Sequence, residues 1–573
     1  MNDLWSKVEP LLLQVLKPGR YIGNERNSIV KKQADIALKV ALAFPDLYEV
    51  GMSNSGLQII YSIINAIPDV AAERVFAPWP DMARTLRENS IPLFSLETKT
   101  PLSDFDIIGF SLSHEMTYTN ILNILNLARI PLKQSERASI RPLVIGGGCC
   151  TINPEPLSDF FDLFVVGDGE EVILELIELY KKFKDRSPDD NSLKTEFLKA
   201  VSQIKGIYAP SLYECDYGED GLISRFVPKY SGLPKRVERR VVRDLDSAPY
   251  PTKPIVPYIR VVHDRINIEI MRGCPHGCRF CQARAAYGPL RIRSKKKILQ
   301  LVEESYKSTG YDEIGLFSLS SGDHPQLEGL MKDLAARFNK KGVGISLSSL
   351  RTDNMREATP GLIAQVRKSG LTFAPEVGSD KQRKAINKKV DMDTFKKVAR
   401  RAYGEGWKSL KLYFMVGLPG ENKEDLDGIV KLVHEISSLR RDIDGKYGGL
   451  TISISGFIPK AHTPFEREGM LSAGEIRRSQ DYLRDRIVGK RFKIDFHSAH
   501  LTSLEGVFSR GDRRIGAVLL AAWKAGAQFD AWREHFNWDI WMSAFNEAQI
   551  DPEIYATRPR GAKEILPWSV IGC

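Results

Sequence analysis

The sequence predicts an α/β protein. A parallel sheet with helices on both faces comes first, then a partial (β/α)6 parallel barrel, then a helical C-terminal region. Three observations carry that reading. Short apolar runs of strand length alternate with helical periodicity from residue 35 to 182, and again from 266 to 470. Glycine turns close several runs at their carboxyl ends, as in Gly146-Gly147-Gly148 and Gly167-Asp168-Gly169. Beyond 470 the apolar positions fall at helical spacing and include Trp523, Trp532, Trp538 and Trp541.

At 573 residues the chain exceeds one core. Residues 1–34 read as one amphipathic helical leader on Leu4, Val8, Leu11, Leu12, Val15 and Leu16, ending near Pro18-Gly19. In 35–182 the strand candidates are Ile36 to Phe44, Ile107 to Leu112, Pro142 to Gly148 and Leu163 to Val166. Helical runs at Gly56 to Ile67 and Thr119 to Ala128 separate them. Residues 183–265 read as a linker with a small β element, rich in proline, tyrosine and charge. In 266–470, strands at Ile266 to Ile270, Ile314 to Ser318, Gly344 to Ser348, Leu371 to Pro375, Leu410 to Val416 and Thr451 to Ser455 give six strand–helix units. Residues 471–573 read as helices at Glu475 to Gly489, Arg514 to Ala525 and Asp530 to Gln549.

Composition narrows the class. Hydrophobic residues make up 43 %, a globular value, and no apolar run has the ~20 residues of a membrane span. Seven cysteines are odd in number and sparse, which opposes a disulfide framework. The first residues lack a signal pattern. A reducing cytoplasm and no membrane partner are expected. The net charge of +10 suits an anionic partner or a solvated basic surface.

The chemistry concentrates in Arg272-Gly273-Cys274-Pro275-His276-Gly277-Cys278-Arg279-Phe280-Cys281. Thiolates in a C-x3-C-x2-C array can converge on one soft metal centre. Three ligands are one short of a closed zinc site or a fully ligated cubane. A zinc knob with His276 or a distant residue as fourth ligand stays open.

With Phe280 before its last cysteine, the array resembles the signature of the radical SAM superfamily. That resemblance implies a [4Fe-4S] cluster on Cys274, Cys278 and Cys281, with one iron open to S-adenosylmethionine (SAM). One electron, from a flavodoxin- or ferredoxin-type donor, would cleave SAM to a 5′-deoxyadenosyl radical. It also implies cofactor contacts from the Ser321-Gly322-Asp323 turn, from Ser348 and Arg351, from Tyr413, and from Glu376 and Lys388. The last two match positions that hold ribose and carboxylate in methylthiotransferases and coproporphyrinogen oxidases. His462 is a further candidate near substrate, or a structural histidine.

Residues 35–182 resemble the Rossmann-like, B12-binding-like domain found upstream of the barrel in one radical SAM group. Asp46-Leu47-Tyr48-Glu49-Val50-Gly51 stands where that group has D-x-H-x-x-G, with Tyr48 in place of the cobalt-ligating histidine. Ser111-Leu112 and Gly146-Gly147 stand near its other two elements. Cobalamin and a vestigial docking domain are both open. Cys149 and Cys150 read as small core residues. Arg510-Gly511-Asp512-Arg513-Arg514 reads as an anion-facing segment or a salt-bridge knot. The whole order resembles an uncharacterised radical SAM family. The implied function is reductive SAM cleavage, with methyl or methylthio transfer to RNA or a ribosomal protein. The alternative is a non-catalytic iron–sulfur or cobalamin-binding sensor or scaffold.

Overall fold

The computed structural model describes residues 3–186, 192–348 and 371–573. Arg351 lies outside the described residues. The N-terminal sheet has six strands in the order Val70–Phe76, Leu38–Phe44, Ile107–Ser111, Leu143–Gly147, Leu163–Val165, Ile207–Tyr208. All pairs are parallel except the last. Chain order therefore reverses between Leu38–Phe44 and Ile107–Ser111, and the carboxyl ends of those two strands border the crevice where such sheets take ligands. Helix Ser55–Asn65, capped by Asn54 accepting from the Leu57 amide, covers one face with helix Val172–Lys184.

The expected single leader helix is instead a short α-helix, Asp3–Val8, running into a 3-10 turn, Glu9–Gln14. Pro10 has no amide to continue the α ladder. Val8, Leu12 and Val15 are buried, whereas Leu13 and Leu16 face outward. Within residues 183–265, expected as a linker, helix Leu193–Val201 precedes the strand Ile207–Tyr208 that completes the N-terminal sheet, and Tyr213–Tyr217 pairs with Ile223–Pro228 as an antiparallel hairpin.

The barrel comprises two parallel sheets. One orders Ile266–Glu269, Glu313–Phe317, Gly344–Leu347; the other orders Thr372–Glu376, Ser409–Val416, Gly449–Gly456, Phe492–Phe496. The six expected strands are present, and Phe492–Phe496 adds a seventh beyond residue 470. Its Phe492, Ile494 and Phe496 alternate with Lys493 and Asp495, a period-2 pattern short enough to pass for a loop between helices. Each sheet has its own apolar cluster, and Leu347 packs against both.

The C-terminal helices Ala499–Arg510, Ile515–Lys524 and Trp538–Glu547 do not extend the barrel core. They share one continuous apolar cluster with the N-terminal sheet. Polar ties fix the contact. Trp532 donates Nε1 to Asp46 at 3.0 Å, Thr119 donates to Asp530 at 2.7 Å, and the Phe529 amide donates to Asn120 at 2.8 Å. The helix expected over Asp530 to Gln549 begins only at Trp538, because Asp530 and Trp532 serve these ties. No helix among the described residues is long and apolar enough to cross a membrane.

Candidate active site

The strand Ile266–Glu269 delivers the chain to the top of the barrel, where Met271–Arg272 pairs antiparallel with Arg291–Ile292. The cysteine loop begins at Gly273, whose φ is +84°; a Cβ there would stand 2.6 Å from the Pro289 carbonyl oxygen. Only glycine combines that conformation with that approach.

The loop is then tied on three sides. The Arg279 amide donates to Ile386 O at 2.9 Å, and Asn387 donates Nδ2 to Gly277 O at 2.8 Å. Gln282 donates Nε2 to Ala461 O at 3.3 Å. His276 Nε2 lies 2.7 Å from Asp323 Oδ2, which also accepts from Ser320 Oγ at 2.6 Å. Phe280 packs against the cluster of Val377, Ile386, Leu418, Phe457 and Phe465.

Cys274, Cys278 and Cys281 are all half-buried. Burial pushes the Cys281 thiol up, and the neighbouring Cys278, Cys274 and Glu376 push it further. Thiolates gathered so closely call for cationic metal to hold them ionised. His276 has its Nε2 engaged with Asp323. Among the described residues, His114, Glu115 and Glu505 bring ligand atoms within 4.8 Å of one another. The His114 group already holds a cation of its own, since Lys460 donates to Glu115 and Glu505 at 2.8 Å each.

Several predicted cofactor residues meet beside this loop. Glu376 ends its strand with φ +67°, in the left-handed region that non-glycine residues rarely adopt. Its carboxylate accepts from Lys388 Nζ at 2.8 Å, and both side chains are largely buried. Ser321, fully buried, lies with its Oγ 3.0 Å from Ser318 Oγ, next to Gly322 and Asp323 in one 3-10 turn. Ser348 caps its strand, with its amide on Leu316 O at 3.1 Å. Tyr413 lies on the open face of its strand beside Lys411, whose Nζ is 4.8 Å from the ring centre. His462 has its Nε2 3.1 Å from Ile152 O, and burial lowers its pKa.

Between the N-terminal sheet and the barrel lies a cavity of about 640 Å³. Its floor is apolar, with Val40, Leu42, Ile60, Ile145, Val165 and Ile173 from the N-terminal sheet and its two covering helices. Its opposite wall is barrel: Glu269, Arg272, Gly273, Tyr287, Phe317 and Ser348. Gly147 opens onto it, and a Cβ there would meet nothing within 4 Å. Tyr48 is absent from this lining. It is buried, hydrogen-bonded to Glu25 at 2.8 Å and packed edge-on against Phe76 at 5.2 Å. Cys149 does line the cavity, with Sγ donating to Ser113 O at 3.2 Å. Hydrogen bonding with Cys150 holds its thiol below the usual value, against burial.

Sequence reasoning missed Cys149 and Tyr287 as cavity residues, and placed Asp168 and Glu170 in a glycine turn at a strand end without giving their side chains a role. The signal available for the acids was a glycine turn with two carboxylates at a strand's carboxyl end. The Arg510 segment resolves as the salt-bridge knot. Arg513 donates to Glu155 at 2.9 Å, Arg514 to Asp512 at 2.7 Å, and Arg510 is fully buried against main-chain carbonyls.

Comparison with known proteins agrees with this geometry. Residues 268–433 match the radical SAM superfamily model, and residues 56–210 match the model for the N-terminal region of radical SAM proteins. An uncharacterized protein of Methanocaldococcus jannaschii is 26 % identical over 484 residues, covering 84 % of this chain and 90 % of the relative. The ribosomal protein uS12 methylthiotransferase RimO of Thermotoga maritima is 24 % identical over 410 residues, covering 65 % of this chain and 92 % of the relative. Among solved structures, the radical SAM methyltransferase TsrM from Kitasatospora setae, with cobalamin and a [4Fe-4S] cluster bound, superposes with a TM-score of 0.51. That match is 14 % identical and covers 77 % of this chain and 78 % of the other, so it speaks to fold. The superfamily uses a [4Fe-4S] cluster with SAM and an external reductant, and RimO, by its name, is a methylthiotransferase. With its cysteine loop above the first strand of a parallel barrel and a B12-binding-like sheet in front, the chain carries a radical SAM domain preceded by the N-terminal region of radical SAM proteins.

Proposed function

We propose that the chain cleaves SAM reductively on a [4Fe-4S] cluster held by Cys274, Cys278 and Cys281, and transfers a methyl or methylthio group. Support comes above all from one observation. Three half-buried thiols sit on the loop after the first barrel strand, with Cys278, Cys274 and Glu376 near enough to Cys281 to raise its thiol, and Glu376 is paired with Lys388. A cluster bound there supplies one electron to the sulfonium of SAM. The protein's own groups do the rest. Lys388 supplies a point charge for a carboxylate. The Ser321-Gly322-Asp323 turn supplies small groups and backbone at the second strand end. Phe280 and its apolar cluster keep water from the loop.

The cavity supports cobalamin as a second cofactor. It runs from the crevice of the N-terminal sheet to the barrel top, its floor is apolar, and glycine opens it at residue 147. Tyr48, committed to Glu25, offers the cobalt no ligand. Methyl and methylthio transfer both fit this site, and the products of the assay below separate them from a sensor or scaffold. The RimO resemblance and the charge of +10 make a ribosomal component or RNA the substrate class to test first.

The test is anaerobic reconstitution, with iron, sulfide and corrin assayed on one sample. Cys274→Ala, Cys278→Ala and Cys281→Ala are each expected to lose the visible iron–sulfur absorbance. SAM with reductant should yield 5′-deoxyadenosine or S-adenosylhomocysteine from wild type alone. Retained absorbance in all three variants would refute the assignment, and a sensor or scaffold would release neither product.

A further inference from the structure

The cysteine loop is anchored outside its own domain. Arg272, two residues before Cys274, reaches three carboxylates. Nη1 is 3.1 Å from Asp168 Oδ1, and Nη2 is 2.7 Å from Glu170 Oε1. Nε and Nη2 each stand 2.9 Å from an oxygen of Glu269. Asp168 and Glu170 belong to the Gly167-Asp168-Gly169-Glu170 turn at the end of the Leu163–Val165 strand, on the N-terminal sheet. Asp168 is itself held by the Val242 amide at 2.9 Å and by Arg291. Arg291 and Arg272 face each other across the ribbon that carries the loop. One carboxylate therefore bridges both strands of that ribbon from the neighbouring domain.

The site is nearly dry. Side-chain exposure is 5 % for Asp168 and Glu170 and 11 % for Arg272 and Glu269. Buried ion pairs are a poor route to stability, since apolar packing of the same volume does as well or better. A forked guanidinium in a fixed cradle does supply orientation. Asp168, Glu170, Glu269 and Arg272 also all line the large cavity, so whatever enters it touches the clamp.

We propose that Asp168 and Glu170 are positioning residues for the cluster loop. Acting through Arg272, the N-terminal domain sets how Cys274 presents its metal and how SAM seats on the open iron. The inference rests on the reading of Cys274, Cys278 and Cys281 as cluster ligands.

The test compares full-length wild type, E170Q, D168N/E170Q and R272K after anaerobic reconstitution. Iron content, SAM affinity and the electron paramagnetic resonance spectrum with and without SAM are measured. All three thiols remain, so iron content is expected to hold. The dissociation constant for SAM is expected to rise about 10–100-fold in D168N/E170Q, the range seen when outer partners of metal ligands are removed. The spectral change on adding SAM should shrink with it. R272K keeps the charge but loses the fork and should behave the same way. If the double variant does not fold, E170Q alone carries the measurement, with a smaller rise in the same direction. Wild-type SAM affinity and an unaltered spectrum in the folded variants would overturn the proposal. Wild-type chain that takes up no iron would instead overturn the cluster reading on which it rests.

Discussion

The N-terminal sheet and the barrel bury their strands in different ways. In the N-terminal sheet every residue of Val70–Phe76 is buried, and Leu38–Phe44 departs from that only at Lys39. In the barrel, Ser409–Val416 and Gly449–Gly456 alternate strictly between buried and open positions. The first sheet is covered on both faces, so its side chains are chosen for packing, and function is left to the turns at its carboxyl end. The second turns one face to helices and the other to a lumen, so every second residue is free for chemistry. Lys411, Tyr413, Thr451, Ser453 and Ser455 are those free positions.

That contrast can be broken at several points. The largest effect is expected where the two halves meet. Lys460, on the loop after the Gly449–Gly456 strand, donates to Glu115 of the N-terminal domain and to Glu505 and Ser509 of the C-terminal helix. Burial alone would raise the Glu115 carboxyl, but Lys460 and His114 outweigh it and hold it down to about 2. The pair's stabilisation is present above the ordinary carboxylate value and is lost as pH falls through about 2. Lys460→Met leaves two acids without their cation and is expected to destabilise by about 3–5 kcal/mol, read by denaturant unfolding. Adding Glu115→Gln should restore part of that loss.

Next comes the cavity. Gly147→Leu points a side chain into open space, so unfolding should change by less than about 1 kcal/mol. Hydroxocobalamin binding, followed by absorbance, should weaken at least about tenfold while iron content holds, by the transfer of binding energy to a filled site. Equal corrin affinity in the variant would exclude the cavity as its site.

A smaller effect tests the lumen. Tyr413→Ala removes a partly exposed side chain, with stability expected to move within about 0.5 kcal/mol. Product formation per SAM cleaved should fall if the open face meets substrate, and a change in stability without that fall would return Tyr413 to packing.

The smallest effect concerns Glu421, in the Gly417-Leu418-Pro419-Gly420-Glu421 turn. Burial pushes its carboxyl up to about 7, against the hydrogen bond it accepts from the Gly417 amide at 2.8 Å. A raised carboxyl favours the folded state while protonated. Its contribution is complete below the ordinary value near 4.5 and is lost as pH rises through about 7. Glu421→Gln keeps the acceptor and should flatten the melting temperature between pH 5 and 8, with a gain of a few degrees at the upper end.

Much of this was legible in one dimension. The cysteine spacing, the apolar runs and the glycine turns are local, and local periodicity is what a sequence displays directly. The glutamate and lysine twelve positions apart, Glu376 and Lys388, could be named because a motif carries them; that they pair with each other is a matter of coordinates. Phe492–Phe496 was obscured because three apolar residues among charges resemble a helix-connecting loop. The leader was misjudged by periodicity alone, since apolar spacing does not register the amide that Pro10 lacks.

By itself the chain determined its strand–helix order and its soft-metal loop, which follow from side-chain type and from intervals of a few residues. The pairing of a B12-binding-like sheet with a radical SAM barrel came from a resemblance to a family. Tertiary structure alone decided that Trp532 would meet Asp46 across 486 positions, that Tyr48 would turn away from the cavity, and that Arg272 would be gripped by another domain's acids. Contacts of that kind form only when distant segments share a desolvated space, where an unpaired charge or dipole is too costly to leave alone.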